Sequence, residues 1–222
     1  MSNNYAMANT QNSTIINPQL REYIEHLILP MYDNFDAAHR RDHVDMVIAQ
    51  SLDIASHHDV DINMVYAIAA YHDIGLVGER STHHIVSGQM LQADNRLRDW
   101  FTAEQIEIMA QAVEDHRASS DHKPRSIYGM IVAEADRFID PTKIIARTVQ
   151  YGFQHYPNLD KEGHYRRTVE HMHEKYAEGG YLKLWFADSP NAARLEALRA
   201  IIRNEAELRD RFEEIYDSLR HN

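Results

Sequence analysis

Apolar residues recur every three or four positions along nearly the whole chain, and no segment alternates apolar with polar residues as a half-buried strand would. Between Ala38 and about His57 they fall at Val44, Val47, Ile48, Leu52 and Ala55, one stripe of a helix. Residues 18–29 open with Pro18 and read as an earlier helix. Residues 62–73 form a mostly apolar helix, with Gly75 as its stop. Further helices are expected from Thr82 to Gln92 and from Thr102, with Gln105 at capping-box spacing, to about Arg117. The Ser, Asp and Pro of "RASSDHKP" mark a loop. Residues 126–139, 142–154 and 163–178 follow as helices, the last closed by Gly179-Gly180. Leu195, Leu198, Ile202, Leu208, Phe212, Ile215 and Leu219 then define a helix or helical hairpin packed on the body, with a homodimer seam as the alternative use of that stripe. The expected fold class is therefore all-α. A disordered leader (1–17) precedes a helical core (18–150) and a C-terminal helical extension packed on it (151–222).

Composition narrows the chemistry. The chain has no Cys, so disulfides, thiolate zinc sites and Cys-held iron–sulfur clusters are excluded. Any metal must be held by nitrogen and oxygen, which suits Mn, Fe, Co, Ni, Zn or Mg. A formal charge of −11 argues against non-specific nucleic-acid binding. No apolar run is long enough for a membrane span, and the polar start lacks the order of a secretory signal, so a cytoplasmic location is expected.

His-Asp occurs twice, as His58-Asp59 in a polar connection and as His72-Asp73 in "AIAAYHDIG". The second pair closes an apolar helix. Other His and Asp also sit within or beside apolar stripes: His43 in "HRRDHVDMVI", His84 in "THHIVSG", His116 in "AVEDHRASS" and Asp136 in "VAEADRFIDP". Inward-facing charged groups pair or coordinate metals, because an isolated buried charge is costly. Helical bundles build metal sites from such residues on successive helices. Neighbours at i and i+1 diverge on a regular helix, but at a helix end both can reach one centre. His57, His58, His155, His164, His171 and His173 read instead as solvated residues on polar faces.

The H…HD…D pattern of His43, His72-Asp73 and Asp136 resembles the HD-domain superfamily of metal-dependent phosphohydrolases, over roughly residues 20 to 150. With His84 and His116 added it is similar to the two-metal branch that includes dinucleoside tetraphosphate hydrolases. The resemblance implies a helical bundle of the HD-domain type. It implies that His43, His72, Asp73 and Asp136 hold one divalent ion, and that Asp73 bridges to a second ion held by His84 and His116. The implied reaction is hydrolysis of a phosphate ester or anhydride of a small substrate, such as a nucleotide, through a metal-bound hydroxide. Candidate substrate cations are Arg80, Arg117, Lys123, Arg125 and Arg137, each close in sequence to a ligand. Glu79 is a candidate general acid, and His39, one turn before His43, a candidate proton shuttle. Two other readings stand beside this one. Some HD-type folds hold a mixed-valence iron pair that activates oxygen, and a nucleotide-sensing module is the third.

Overall fold

The computed structural model describes residues 15–35, 40–117 and 122–221. All regular structure among them is helical, and no strand occurs. No helix among them is long and apolar enough to cross a membrane. The expected leader lies largely outside the described residues, and so does His39.

The chain divides into two units, the first ending at Asp136 and the second beginning at Arg137. The first opens with α1 (Pro18–Tyr23), whose first turn is capped by the Asn17 side chain. The α-helix expected to run to residue 29 instead widens into a π turn over Ile24–Ile28 and tightens into a 3-10 turn over Leu29–Asn34. Pro30 is the physical reason. It has no N–H, and its ring would strike the carbonyl one turn back, so the regular ladder cannot continue through it.

Next come α2 (Arg41–Ala55), α3 (Ile62–Tyr71), α4 (His83–Ala93), α5 (Ala103–Glu114) and α6 (Ile127–Ala135). Their caps are local and readable. The Asp61 carboxylate accepts from the Asn63 N–H, Ser126 Oγ accepts from the Gly129 N–H, and Thr102 and Gln105 form the reciprocal capping box. Helix α3 is the centre of the unit. Every residue from Met64 to Tyr71 is buried, and α2, α5 and α6 pack around it. A helix apolar on all sides must lie inside a bundle, and here it carries His72-Asp73 into the interior at its C-terminal end.

The second unit holds α7 (Pro141–His155), α8 (Lys161–Lys175), α9 (Pro190–Arg203) and α10 (Glu205–His221). Ile145 and Val149 of α7 share a core with Leu208, Phe212 and Tyr216 of α10. The division therefore falls before α7 and not near residue 150, because the apolar face of α7 is used within the second unit. The Leu195–Leu219 stripe is a helical pair broken at Asn204, with Leu195, Leu198 and Ile202 in one core cluster and Leu208 and Phe212 in another. His164 is a correction. It is buried, with its ring set against Phe153 and Tyr216 at centroid distances of 5.1 and 5.8 Å, where a solvated His had been expected.

Candidate metal centre

Helix α3 ends in a short network that fixes the HD pair. Tyr71 and Tyr23 both donate to Asp94 Oδ2 at 2.5 Å. The Tyr32 hydroxyl donates to the Ala70 carbonyl at 3.0 Å and accepts from the Asp73 N–H at 3.2 Å. These bonds pin the backbone on both sides of His72. The helix stops there: Asp73 has left helical geometry, at φ −115° and ψ 4°. His72 and Asp73 can then converge, as a regular helix would forbid.

The two oxygens of Asp73 face two different groups. On one side, Asp73 Oδ2 lies 3.3 Å from His72 Nε2 and 3.6 Å from His43 Nε2. Asp136 Oδ1 completes that group, 3.2 Å from His43 Nε2 and 3.9 Å from His72 Nε2. On the other side, Asp73 Oδ1 lies 3.2 Å from His83 Nε2 and 3.4 Å from His116 Nε2. Two sets, His43–His72–Asp73 and Asp73–His83–His116, each bring ligand atoms close enough to surround one ion.

Backbone carbonyls decide the tautomers. His72 Nδ1 lies 2.7 Å from the Ala69 oxygen, His116 Nδ1 2.6 Å from the Val113 oxygen and His83 Nδ1 2.7 Å from the Arg80 oxygen. A carbonyl only accepts, so each Nδ1 carries a proton and each neutral ring turns a lone pair outward at Nε2. The Nε2 atoms of His83 and His116 face each other at 3.2 Å with a carboxylate oxygen beside both. Three acceptors so close repel unless a cation sits among them. The donor set therefore fits a metal, and the carbonyl bonds behind the rings are those that orient metal-binding His.

Without a metal, protons must fill that role. Burial opposes charging His43, but its hydrogen bonds to the Asp136 and Asp73 carboxylates outweigh it and raise its pKa to about 9. His72 is raised as well, with burial outweighed by Asp73. Burial would lift Asp73, yet His72, His116 and His43 hold its carboxyl far below the usual range, and His43 and His72 hold Asp136 down to about 2. A raised His contributes stability that is complete below its ordinary pKa near 6.5 and is lost as pH rises through about 9. The depressed carboxylates act at the other end: the contribution of Asp136 is lost as pH falls through about 2, and that of Asp73 persists to lower pH. Chelator-treated protein should therefore lose on the order of 3 kcal/mol between pH 6.5 and 9.5, while metal affinity rises over the same window as protons are displaced. Thermal melts at both pH values, with chelator and with manganese, check this; a chelated protein equally stable at both would contradict it.

The structure corrects the expected second-site histidine. His83, not His84, faces Asp73 and His116. His84 lies one residue on, turned away, with its Nδ1 buried and unpartnered. Burial first, then Arg117, His116 and His83, push its pKa down to about 4. The roll of α4 that selects His83 is set by Gly75. A Cβ there would lie 2.2 Å from the His83 carbonyl oxygen and 2.6 Å from the Ser87 nitrogen, and the Gly75 N–H donates to Ser87 Oγ at 2.8 Å. Gly75 is thus required for close backbone approach. It does not have the positive φ of a helix-stop glycine. Gly75→Ala should cost about 2–3 kcal/mol and weaken the His83 side of the centre more than the His43 side. Denaturant titration and metal stoichiometry of the variant test both parts.

The remaining expected residues scatter. Glu79 is exposed and accepts from Ser81 Oγ at 3.5 Å. Arg80 is exposed and supplies its carbonyl to His83. Lys123 is exposed. Arg125 is committed elsewhere: it donates to the buried Asp115 at 3.0 Å and to Glu114 at 2.7 Å, so the expected substrate cation is an internal ion pair. Arg137 belongs to the second unit, where it donates to the Lys183 carbonyl and lies over Trp185. Arg117 is tied to the loop entering α4 through a 2.8 Å bond to the Ser81 carbonyl.

With this geometry in place, comparison with known proteins gives one result. Residues 40–139 match the HD domain family model. The matched segment contains His43, His72, Asp73, His83, His116 and Asp136. The match supports a likeness of this part of the chain to the HD-domain superfamily, and the all-helical first unit is consistent with a helical bundle of that type. No curated protein and no solved structure matches the chain.

Proposed function

We propose that the HD segment makes this chain a metal-dependent phosphohydrolase that cleaves a phosphate ester or anhydride of a nucleotide or another small phosphorylated metabolite. The observation that carries the proposal is the split of Asp73, one oxygen toward His43 and His72 and the other toward His83 and His116. A carboxylate set between two His groups would offer one oxygen to each of two divalent ions. His43, His72, Asp73 and Asp136 would hold one, and Asp73, His83 and His116 the other, which is kinship with the two-metal branch of the superfamily. Bound there, such ions supply Lewis acidity and lower the pKa of coordinated water, so no Ser or Cys nucleophile is needed.

The chain's own residues do the rest. His72 and His116 side chains are 0% and 2% exposed, whereas His43, His83 and Asp136 are 15%, 13% and 22% exposed. Substrate therefore approaches from the face of His43, His83 and Asp136, and the buried His pair forms the dry floor of the site. The carbonyls of Ala69, Arg80 and Val113 hold the rings so that no reorientation is required when charge develops. Arg117, anchored beside the His83 loop, is the cation best placed to meet a phosphate oxygen there.

The test is elemental analysis of protein purified without added metal, followed by a screen of phosphorylated metabolites. Release of phosphate or a nucleotide at a rate that tracks metal content supports the proposal. The same six N and O donors also suit an iron pair that activates oxygen. Iron content coupled to oxygen uptake, with no phosphate released from any substrate, would replace the hydrolase reading with that one.

A further inference from the structure

The second unit contains a half-open cleft of about 420 Å³ between the loop after α8 and helix α9. Its size falls in the range of small-molecule sites. About half of its exposed lining is polar, and Leu182, Trp185, Phe186 and Leu195 supply the apolar part of the wall. Two cations, Lys183 and Arg199, stand among them, and no Asp or Glu lines the cleft among the described residues. In a chain with 34 acidic and 23 basic residues, a lining with two positive charges and no negative one departs from the general surface.

The cleft is preformed. Its loop has no regular secondary structure but is tied down at several points. The Tyr181 and Leu182 N–H groups donate to the Glu174 and Lys175 carbonyls at 3.1 and 3.0 Å, and Arg137 donates to the Lys183 carbonyl while lying 5.8 Å from the Trp185 ring centroid. The turn into the loop depends on two glycines. Gly179 has φ +84°, and a Cβ on Gly180 would lie 2.6 Å from the Lys175 carbonyl oxygen. A tied loop with a partly apolar wall and a cationic edge loses little entropy when it takes a ligand.

We propose that this cleft binds a small organic anion, with a flat apolar body against Trp185 and Phe186 and a carboxylate, sulfonate or phosphate group at Lys183. The site does not depend on the reaction at Asp73. The probe is anilinonaphthalene sulfonate, an aromatic anion whose fluorescence reports burial, titrated into the full chain beside its uncharged analogue phenylnaphthylamine. Saturable one-to-one binding of the sulfonate is expected. It should weaken roughly tenfold in Lys183→Met and in Ala187→Glu, and recover in Lys183→Arg, with the neutral analogue unaffected by Lys183→Met. Lys183 and Ala187 are exposed, so these variants should fold. Absent binding, binding at many sites, or equal affinity for the sulfonate in wild type and both weakened variants would overturn the proposal, whatever the outcome at the metal centre.

Discussion

Asp73→Ala should yield a folded protein that retains neither ion and turns over phosphoesters at least about a thousandfold more slowly than wild type. The size of the effect follows from geometry. Each oxygen of Asp73 serves a different His group, so one substitution removes a ligand from both. It also leaves the Nε2 atoms of His83 and His116 facing each other at 3.2 Å with no carboxylate beside them, while Asp136 alone remains beside His43 and His72. Stability should respond in the opposite sense to the usual loss of a buried residue at high pH, because the protonated His that Asp73 stabilises in the metal-free protein are neutral there. Elemental analysis and phosphate release measure the two main effects. Full metal content or full activity in the variant would mean that the reaction is carried elsewhere.

His83→Ala should lower the metal content from about two ions per chain to about one, as should His116→Ala, whereas His84→Ala should leave it near two. The contrast between adjacent residues makes this informative. Both are histidines at the start of one helix, both are partly buried, and general loss of stability would affect them alike. Only His83 places Nε2 within 3.2 Å of Asp73. A fall in metal content in His84→Ala, with His83→Ala unchanged, would reverse the assignment. Should neither variant change the ratio, the second group holds no ion.

These two residues also show where reading the sequence stops. Most helices and the Thr102–Gln105 cap are legible from local periodicity and cap spacing, and His43, His72, Asp73, His116 and Asp136 stand out as polar residues beside apolar stripes, but that they share one centre comes from the resemblance to the HD-domain superfamily. The choice between His83 and His84 depends on how α4 rolls, since neighbours on a helix differ by about 100° in direction. That roll is fixed by contacts distant in sequence. A signal was present in the small residues one turn on. Ser87, four after His83, meets Gly75, while Gly88, four after His84, lets α4 approach α5, where a Cβ would lie 2.9 Å from the Ala110 carbonyl oxygen. The small residue behind His84 thus serves helix packing. Arg125 was misread for a related reason. Sequence proximity to His116 suggested a substrate cation, but the buried carboxylate of Asp115 requires a partner and takes it. The π turn after α1 follows from Pro30, which signals a break without specifying its form.

The most direct measurement is the anomalous scattering of a crystal grown with ample manganese, collected at the metal edge. Two peaks are expected, about 3.5–4 Å apart, one beside His43, His72 and Asp136 and the other beside His83 and His116, with Asp73 touching both. A single peak, or a second ion held without Asp73, would contradict the bridging geometry on which the proposed chemistry depends.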